Sequence, residues 1–120
     1  VTGKNGVAFL VDSATVVAAP FGQPNPAGYV TVSIEVSLTN HGASAVSVAG
    51  LTDFEILGPQ GQTYNQVILT NGPDSPGGNL TPGDEMTGDI GYQVPPGAYR
   101  VAYTPLFGTA LPPISIGTIS

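Results

Sequence analysis

The sequence predicts an all-β protein, a single antiparallel β-sandwich, and three observations carry that prediction. The run Tyr29-Val-Thr-Val-Ser-Ile-Glu-Val-Ser-Leu-Thr-Asn40 alternates apolar and polar side chains without an error. Successive strand side chains point to opposite faces, so Val30, Val32, Ile34, Val36 and Leu38 share a dry face and Thr31, Ser33, Glu35, Ser37 and Thr39 a wet one. No useful window holds an apolar repeat of helical period, and 17 Gly and 12 Pro in 120 residues interrupt nearly every stretch. Charged residues make up only 8% of the chain, against about 25% in an ordinary soluble domain. A surface of Thr, Ser, Asn, Gln and Gly suits exposed sheet and loops better than helices.

The elements follow in order from their punctuation. Val7–Val11 and Ala14–Ala18 read as two first strands, broken near Asp12-Ser13. Residues 20–28 form a connection carrying three prolines, which cannot donate to a sheet ladder. The long strand 29–40 ends at the turn Asn40-His41-Gly42. Val46–Val48 and Asp53–Leu57 are short strands, the second closed by the turn Gly58-Pro-Gln-Gly61 so that Thr63–Leu69 pairs back as a hairpin. Residues 71–83 form the longest loop. Met86, Gly88, Ile90, Tyr92 and Val94 then line one face of a strand, with Thr87, Asp89, Gly91 and Gln93 opposite. Pro95-Pro96-Gly97 turns the chain into Ala98–Tyr103, and Ile114–Ile119 closes the set. One domain spans residues 1–120.

Seven or eight strands at this spacing mean a sandwich of immunoglobulin type. Tyr99 fits that reading. In such folds a tyrosine near the start of the penultimate strand returns its hydroxyl to upstream backbone, two residues before the position where antibody domains carry a cysteine. Here that position is Val101, which supplies packing without a disulfide.

The ordered features resemble a known group: telokin-like, immunoglobulin-type domains of unknown function in secreted proteins and lipoproteins, among them a small immunogenic mycobacterial secreted protein. The carrying residues are Val32–Leu38 with Thr39-Asn40, Asp53-Phe54, Gly61, Tyr64, Leu80-Thr-Pro82-Gly83-Asp84, Gly88 and Val94-Pro95 before Tyr99. The resemblance covers residues 29–104, and Val1–Gly28 departs from it. It implies a secreted or envelope-associated module, and it supplies no catalytic residues.

Composition excludes several function classes. Eight acids against Lys4 and Arg100 leave a net charge of −6, so nucleic acid and anionic membrane surfaces are repelled. Without cysteine there is no disulfide, thiolate zinc site or cysteine nucleophile. No apolar stretch approaches the length of a membrane span. The chain begins Val-Thr-Gly and its only methionine is Met86, so either a leader has been removed or the chain is cut from a longer one. With the Lys-poor, Thr/Ser/Gly/Pro-rich composition this reads as an exported protein.

Candidate chemistry is sparse. His41, the one histidine, lies in a turn with no Gly-x-Ser-x-Gly motif elsewhere to recruit it. Asp74, Asp84, Glu85 and Asp89 flank the long loop and form a weak calcium candidate, without the ordering of an EF-hand loop. Asp53 and Glu55, two apart, project together from one strand face as solubilising charges. Asn79-Leu80-Thr81 fits the N-glycosylation pattern. No cofactor is expected. The binding-loop candidates are Asn71, Asp74, Asn79 and Asp84 in loop 71–85, with Phe21 and Tyr29 as neighbours or rivals. The expected function is a non-catalytic module that binds a protein or surface glycan through end loops, as a monomer or a weak edge-paired dimer. A structural spacer of a larger envelope protein is the alternative, and a hydrolase is a distant third.

Overall fold

The computed structural model describes residues 6–17, 25–49, 53–64, 66–67, 77–103 and 113–119. Among them run β1 (Val7–Val17), β2 (Val30–Asn40), β3 (Val46–Val48), β4 (Phe54–Leu57), β5 (Gln66–Val67), β6 (Gly78–Leu80), β7 (Glu85–Val94), β8 (Gly97–Tyr103) and β9 (Ile114–Ile119), with no helix. One sheet has the order β1-β2-β7-β5 and another β4-β8-β9, while β3 and β6 form a two-stranded ribbon. Every pairing is antiparallel. The two larger sheets reproduce the A-B-E-D and C-F-G orders of a constant-type immunoglobulin sandwich. The fold is therefore the expected one, with the β3–β6 ribbon added.

The core lies between the two larger sheets. Val32, Ile34, Val36 and Leu38 of β2, Ile90 and Val94 of β7, Ile56 of β4 and Val101 of β8 are all fully buried. Each such side chain removed from water contributes about 1.5–3 kcal/mol. Phe9, Phe54 and Tyr103 form an aromatic cluster with ring centroids 5.3–6.1 Å apart.

Four expectations are corrected. The first two strands are one: β1 runs unbroken against β2, and its register shifts between Val11, opposite Val36, and Ser13, opposite Glu35. Asp12 is the extra residue of a β-bulge. The bulge moves the inward face from odd positions (Val7, Phe9, Val11) to even ones, beginning with Ala14 opposite Ile34, which makes one strand look like two. Nor is the outward face of β2 uniformly wet. Thr31 and Ser37 are buried, the first bonded to Asn25 and the second lying between Asp12 and Thr87.

The expected hairpin back onto β4 survives only as a bridge between Leu57 and Thr63. Gln66–Val67 joins β7 in the other sheet instead; Ile68 and Leu69 lie outside the described residues. Finally, part of the expected long loop is strand. Gly78–Leu80 pairs with β3, setting Leu80 opposite Val46, because a fully buried Leu80 needs its backbone partnered as well as its side chain.

Asn40 ties three of these segments together. Its side chain donates to the Ser44 carbonyl at 2.8 Å and the Leu80 carbonyl at 2.9 Å, and accepts from the Gly42 N–H at 2.8 Å. Its backbone bonds Asp84 O and receives Gly83 N–H. All of this is shielded, since Asn40 has no exposed surface. Asn40→Ala strands buried partners and is expected to cost about 3 kcal/mol. The check is the urea midpoint at unchanged slope, and an unmoved midpoint would contradict the tethering role.

Candidate functional site

Three turns meet at the end of the sandwich where β2 begins and β7 ends. In Pro26-Ala27-Gly28-Tyr29 the Tyr29 N–H reaches Pro26 O at 3.0 Å, and Gly28 has φ +80°, the left-handed value a type II turn requires at its third position. In the second turn Gly61 N–H bonds Gly58 O and Gly58 N–H bonds Gln62 O, which delivers Thr63 and Tyr64. The third is Pro95-Pro96-Gly97. Here the Tyr99 hydroxyl donates to Pro95 O at 2.5 Å, the tyrosine corner expected from its position.

These turns set three tyrosines edge to face. Tyr29 and Tyr64 lie 6.5 Å apart at 74°, and Tyr64 and Tyr99 5.8 Å apart at 78°. T-shaped contacts of this kind add attraction beyond buried area. Tyr99 is buried, Tyr64 half-buried, and Tyr29 37% exposed. The series therefore leads from core to surface. Beside it opens a cavity of about 280 Å³ lined by Pro26, Tyr29, Thr63, Tyr64, Val67 and Gln93. None of these six is charged. Gln93 donates to Asn25 Oδ1 at 3.4 Å and to Thr31 Oγ1 at 3.5 Å, the long limit of a useful hydrogen bond.

The opposite end holds Asn79 and Asp84, so these candidates do not share a site with Tyr29. The separation is set by β2, whose eleven residues span about 35 Å. Asn79 is exposed on β6 opposite Ser47. Asp84 accepts from the Thr81 hydroxyl and closes the turn Thr81-Pro82-Gly83-Asp84. Glu85 accepts from Thr39 Oγ1 at 3.2 Å, and Asp89 stands opposite Glu35 on the outer face of the sheet. Like charges facing across strands oppose pairing. No group of three or more acids or histidines suited to a metal occurs among the described residues. Asn71, Asp74 and Phe21 lie outside them.

Asp53 and Glu55 do not form the exposed pair expected. Asp53 precedes β4 and is buried, with its carboxylate accepting Ala49 N–H at 2.8 Å. Glu55 is half-buried opposite Ala102. His41 is exposed, and its backbone N–H bonds Gly6 O.

The recess residues Thr63, Val67 and Gln93 were not singled out by the sequence reading. A signal exists in retrospect: each tyrosine of the series follows a turn glycine by one to three positions, as Gly28-Tyr29, Gly61-x-x-Tyr64 and Gly97-x-Tyr99.

The sequence profile of DUF4352, a domain of unknown function, matches residues 2–111. The chain belongs to this family. No curated protein sequence gives a significant match. Among solved structures, this DUF4352 domain is similar to ycdA of Bacillus subtilis, described as a lipoprotein, with TM-score 0.81 and 12% identity over 97% of this chain. It spans only 38% of that protein. The yjhA protein of Bacillus subtilis matches with TM-score 0.68 and 22% identity over 89% of this chain and 77% of its own. MPT63, a secreted protein of Mycobacterium tuberculosis, matches with TM-score 0.67 and 19% identity over 91% and 82%. At these identities the likeness establishes the fold. Neither the family description nor these names assigns catalysis. No helix among the described residues is long and apolar enough to cross a membrane.

Two expectations concern the tyrosines. Burial, followed by Tyr64 and Tyr29, pushes the Tyr99 hydroxyl up to about 12 from 10.0. Burial and then Asp53 push Tyr103 to about 12, and burial with Glu55 raises Tyr92 further still. The Tyr92 and Tyr103 hydroxyls have no hydrogen-bond partner among the described residues. The folded state thus holds these protons more tightly than the unfolded chain. Their contribution to stability is complete below about pH 10 and is lost as pH rises through about 12. Phenolate absorbance and loss of strand signal should therefore move together across that window; full ionisation with the fold intact would contradict the burial. Tyr99→Phe should cost about 1 kcal/mol through loss of the Pro95 bond, read from the denaturant midpoint.

Proposed function

We propose that this domain is a non-catalytic, extracytoplasmic recognition module that meets its partner at the Tyr29–Tyr64 end. The observation that carries the reading is the uncharged recess itself. Three separate turns converge to hold aromatic rings around an open cavity, and a concave, mainly apolar surface with a few polar groups is the usual form of a binding site. Partly exposed tyrosines are also the residues that most often anchor interfaces. At the other end two of the polar side chains are already engaged, Asn40 by backbone carbonyls and Asp84 by Thr81. Extracytoplasmic placement is supported by the fold shared with a protein described as a lipoprotein and with a secreted protein, together with the Lys-poor composition rich in Thr, Ser, Gly and Pro.

A second reading has one observation of its own. Since the domain corresponds to only 38% of ycdA, it also suits a spacer within a longer envelope protein. Binding of labelled domain to intact cells and isolated envelopes separates the two. Recognition predicts saturable binding that falls about tenfold for the double variant Tyr29→Ala/Tyr64→Ala and is kept by Asn79→Ala/Asp84→Ala. A spacer predicts no saturable binding by any of them.

A further inference from the structure

We infer that the recess bounded by Tyr29, Tyr64 and Gln93 is a subsite for an uncharged saccharide chain. This rests on the recognition reading above and names the chemistry of its ligand. A pyranose presents two kinds of surface: a face of weakly polarised C–H groups and a rim of hydroxyls that both donate and accept. The first is matched by aromatic rings, whose negative faces attract the positive ends of C–H bonds. Tyr29 is the most exposed ring of the series and lines the cavity, steadied by its edge contact with Tyr64.

The rim needs groups that donate and accept without carrying charge. Thr63 supplies a hydroxyl and Gln93 a primary amide, both lining the cavity. The Gln93 amide is held at 3.4 and 3.5 Å by Asn25 and Thr31, so little is given up when it turns to a closer partner. The Thr31 hydroxyl meanwhile donates to Asn25 at 2.5 Å, so the two acceptors of the Gln93 amide are tied to each other.

Size and charge narrow the class. At about 280 Å³ the cavity falls just below the range of about 300–1,000 Å³ typical of small-molecule sites, room for roughly one or two sugar rings. Tyr29 both lines the cavity and is partly exposed, so the remainder of a chain can run outward past it. Anionic sugars, phosphates and lipid headgroups find no cation in the lining, and the whole chain carries −6. A proline-rich peptide is a poorer fit. Such ligands lie extended along aromatic-lined grooves, whereas Tyr29 and Tyr64 meet at 74° and close a compact hollow.

The test is titration of isotope-labelled domain with cellotetraose, maltotetraose and mannotetraose, followed by amide and side-chain chemical shifts. At least one should give saturable shifts centred on Tyr29, Tyr64 and the Gln93 side-chain amide. Tyr29→Ala and Gln93→Ala should each weaken it about tenfold, whereas Tyr64→Phe, which keeps the ring packed on Tyr99, should retain it. Asn79→Ala should change nothing. A proline-rich peptide and anionic phospholipid vesicles serve as rival probes.

Shifts at the recess with the peptide or vesicles and none with any of the three saccharides would overturn the inference. So would saccharide shifts at the Asn79–Asp84 end, or no shifts at all. If saccharides fail while cell-surface binding still depends on Tyr29 and Tyr64, the recognition reading stands and only the ligand class falls. If cell-surface binding is absent yet a saccharide binds at the recess with the stated variant pattern, the subsite stands and the broader role falls.

Discussion

The rest of the structure depends on β2 having no free edge. It is hydrogen-bonded along nearly its whole length to β1 on one side and β7 on the other. A slip of one residue against either neighbour would exchange its faces and drive Val32, Ile34, Val36 and Leu38 into water. That penalty fixes the register of three strands at once. It also sets both ends of the molecule. At the far end of β2, Asn40 gathers the 41–49 and 78–84 segments. At its beginning, Tyr29 and Thr31 meet the turn after β4 and the last residues of β7. The recess and the tether are thus two outcomes of one strand's placement.

The two ends use their polar groups in opposite ways. Around Asn40 the hydrogen bonds to Ser44, Leu80, Gly42, Gly83 and Asp84 are all internal and lie between 2.7 and 3.0 Å. Around Gln93 the amide is loosely held and open to the cavity. A buried network so completely satisfied favours rigidity. An amide held only at 3.4 and 3.5 Å leaves scope for an outside partner. This contrast, more than the pocket's dimensions, distinguishes the end proposed for recognition from the tethered one.

Much of the fold was legible because period-two alternation reports burial directly. β2, β7, β8 and β9 were placed within a residue or two, and Tyr99 as the corner followed from its spacing to Val101 and to Pro95. The misreadings have physical causes. Asp12 adds one residue to a ladder, so the alternation reverses and imitates a break. Gly78–Leu80 sits amid Gly, Pro and Asn, and its strand character comes from Leu80 and its pairing with β3, which short-range pattern does not reveal. The recess was harder still. Thr63, Tyr64, Val67 and Gln93 come from separate segments, and nothing local says that Gln66–Val67 leaves β4 for β7. Sequence left open whether Tyr29 neighbours Asn79 and Asp84 or rivals them, and the length of β2 sets them apart.

Val101 carries a consequence of its own. Antibody domains join their layers through a covalent sulfur link at this place, whereas here a methyl-bearing side chain presses on Ile56, Ile114 and the facing sheet. Assembly of the layers therefore includes no oxidation step, which in sulfur-bridged relatives takes seconds to hours. The sandwich can close under reducing and oxidising conditions alike, with no oxidase needed to complete it.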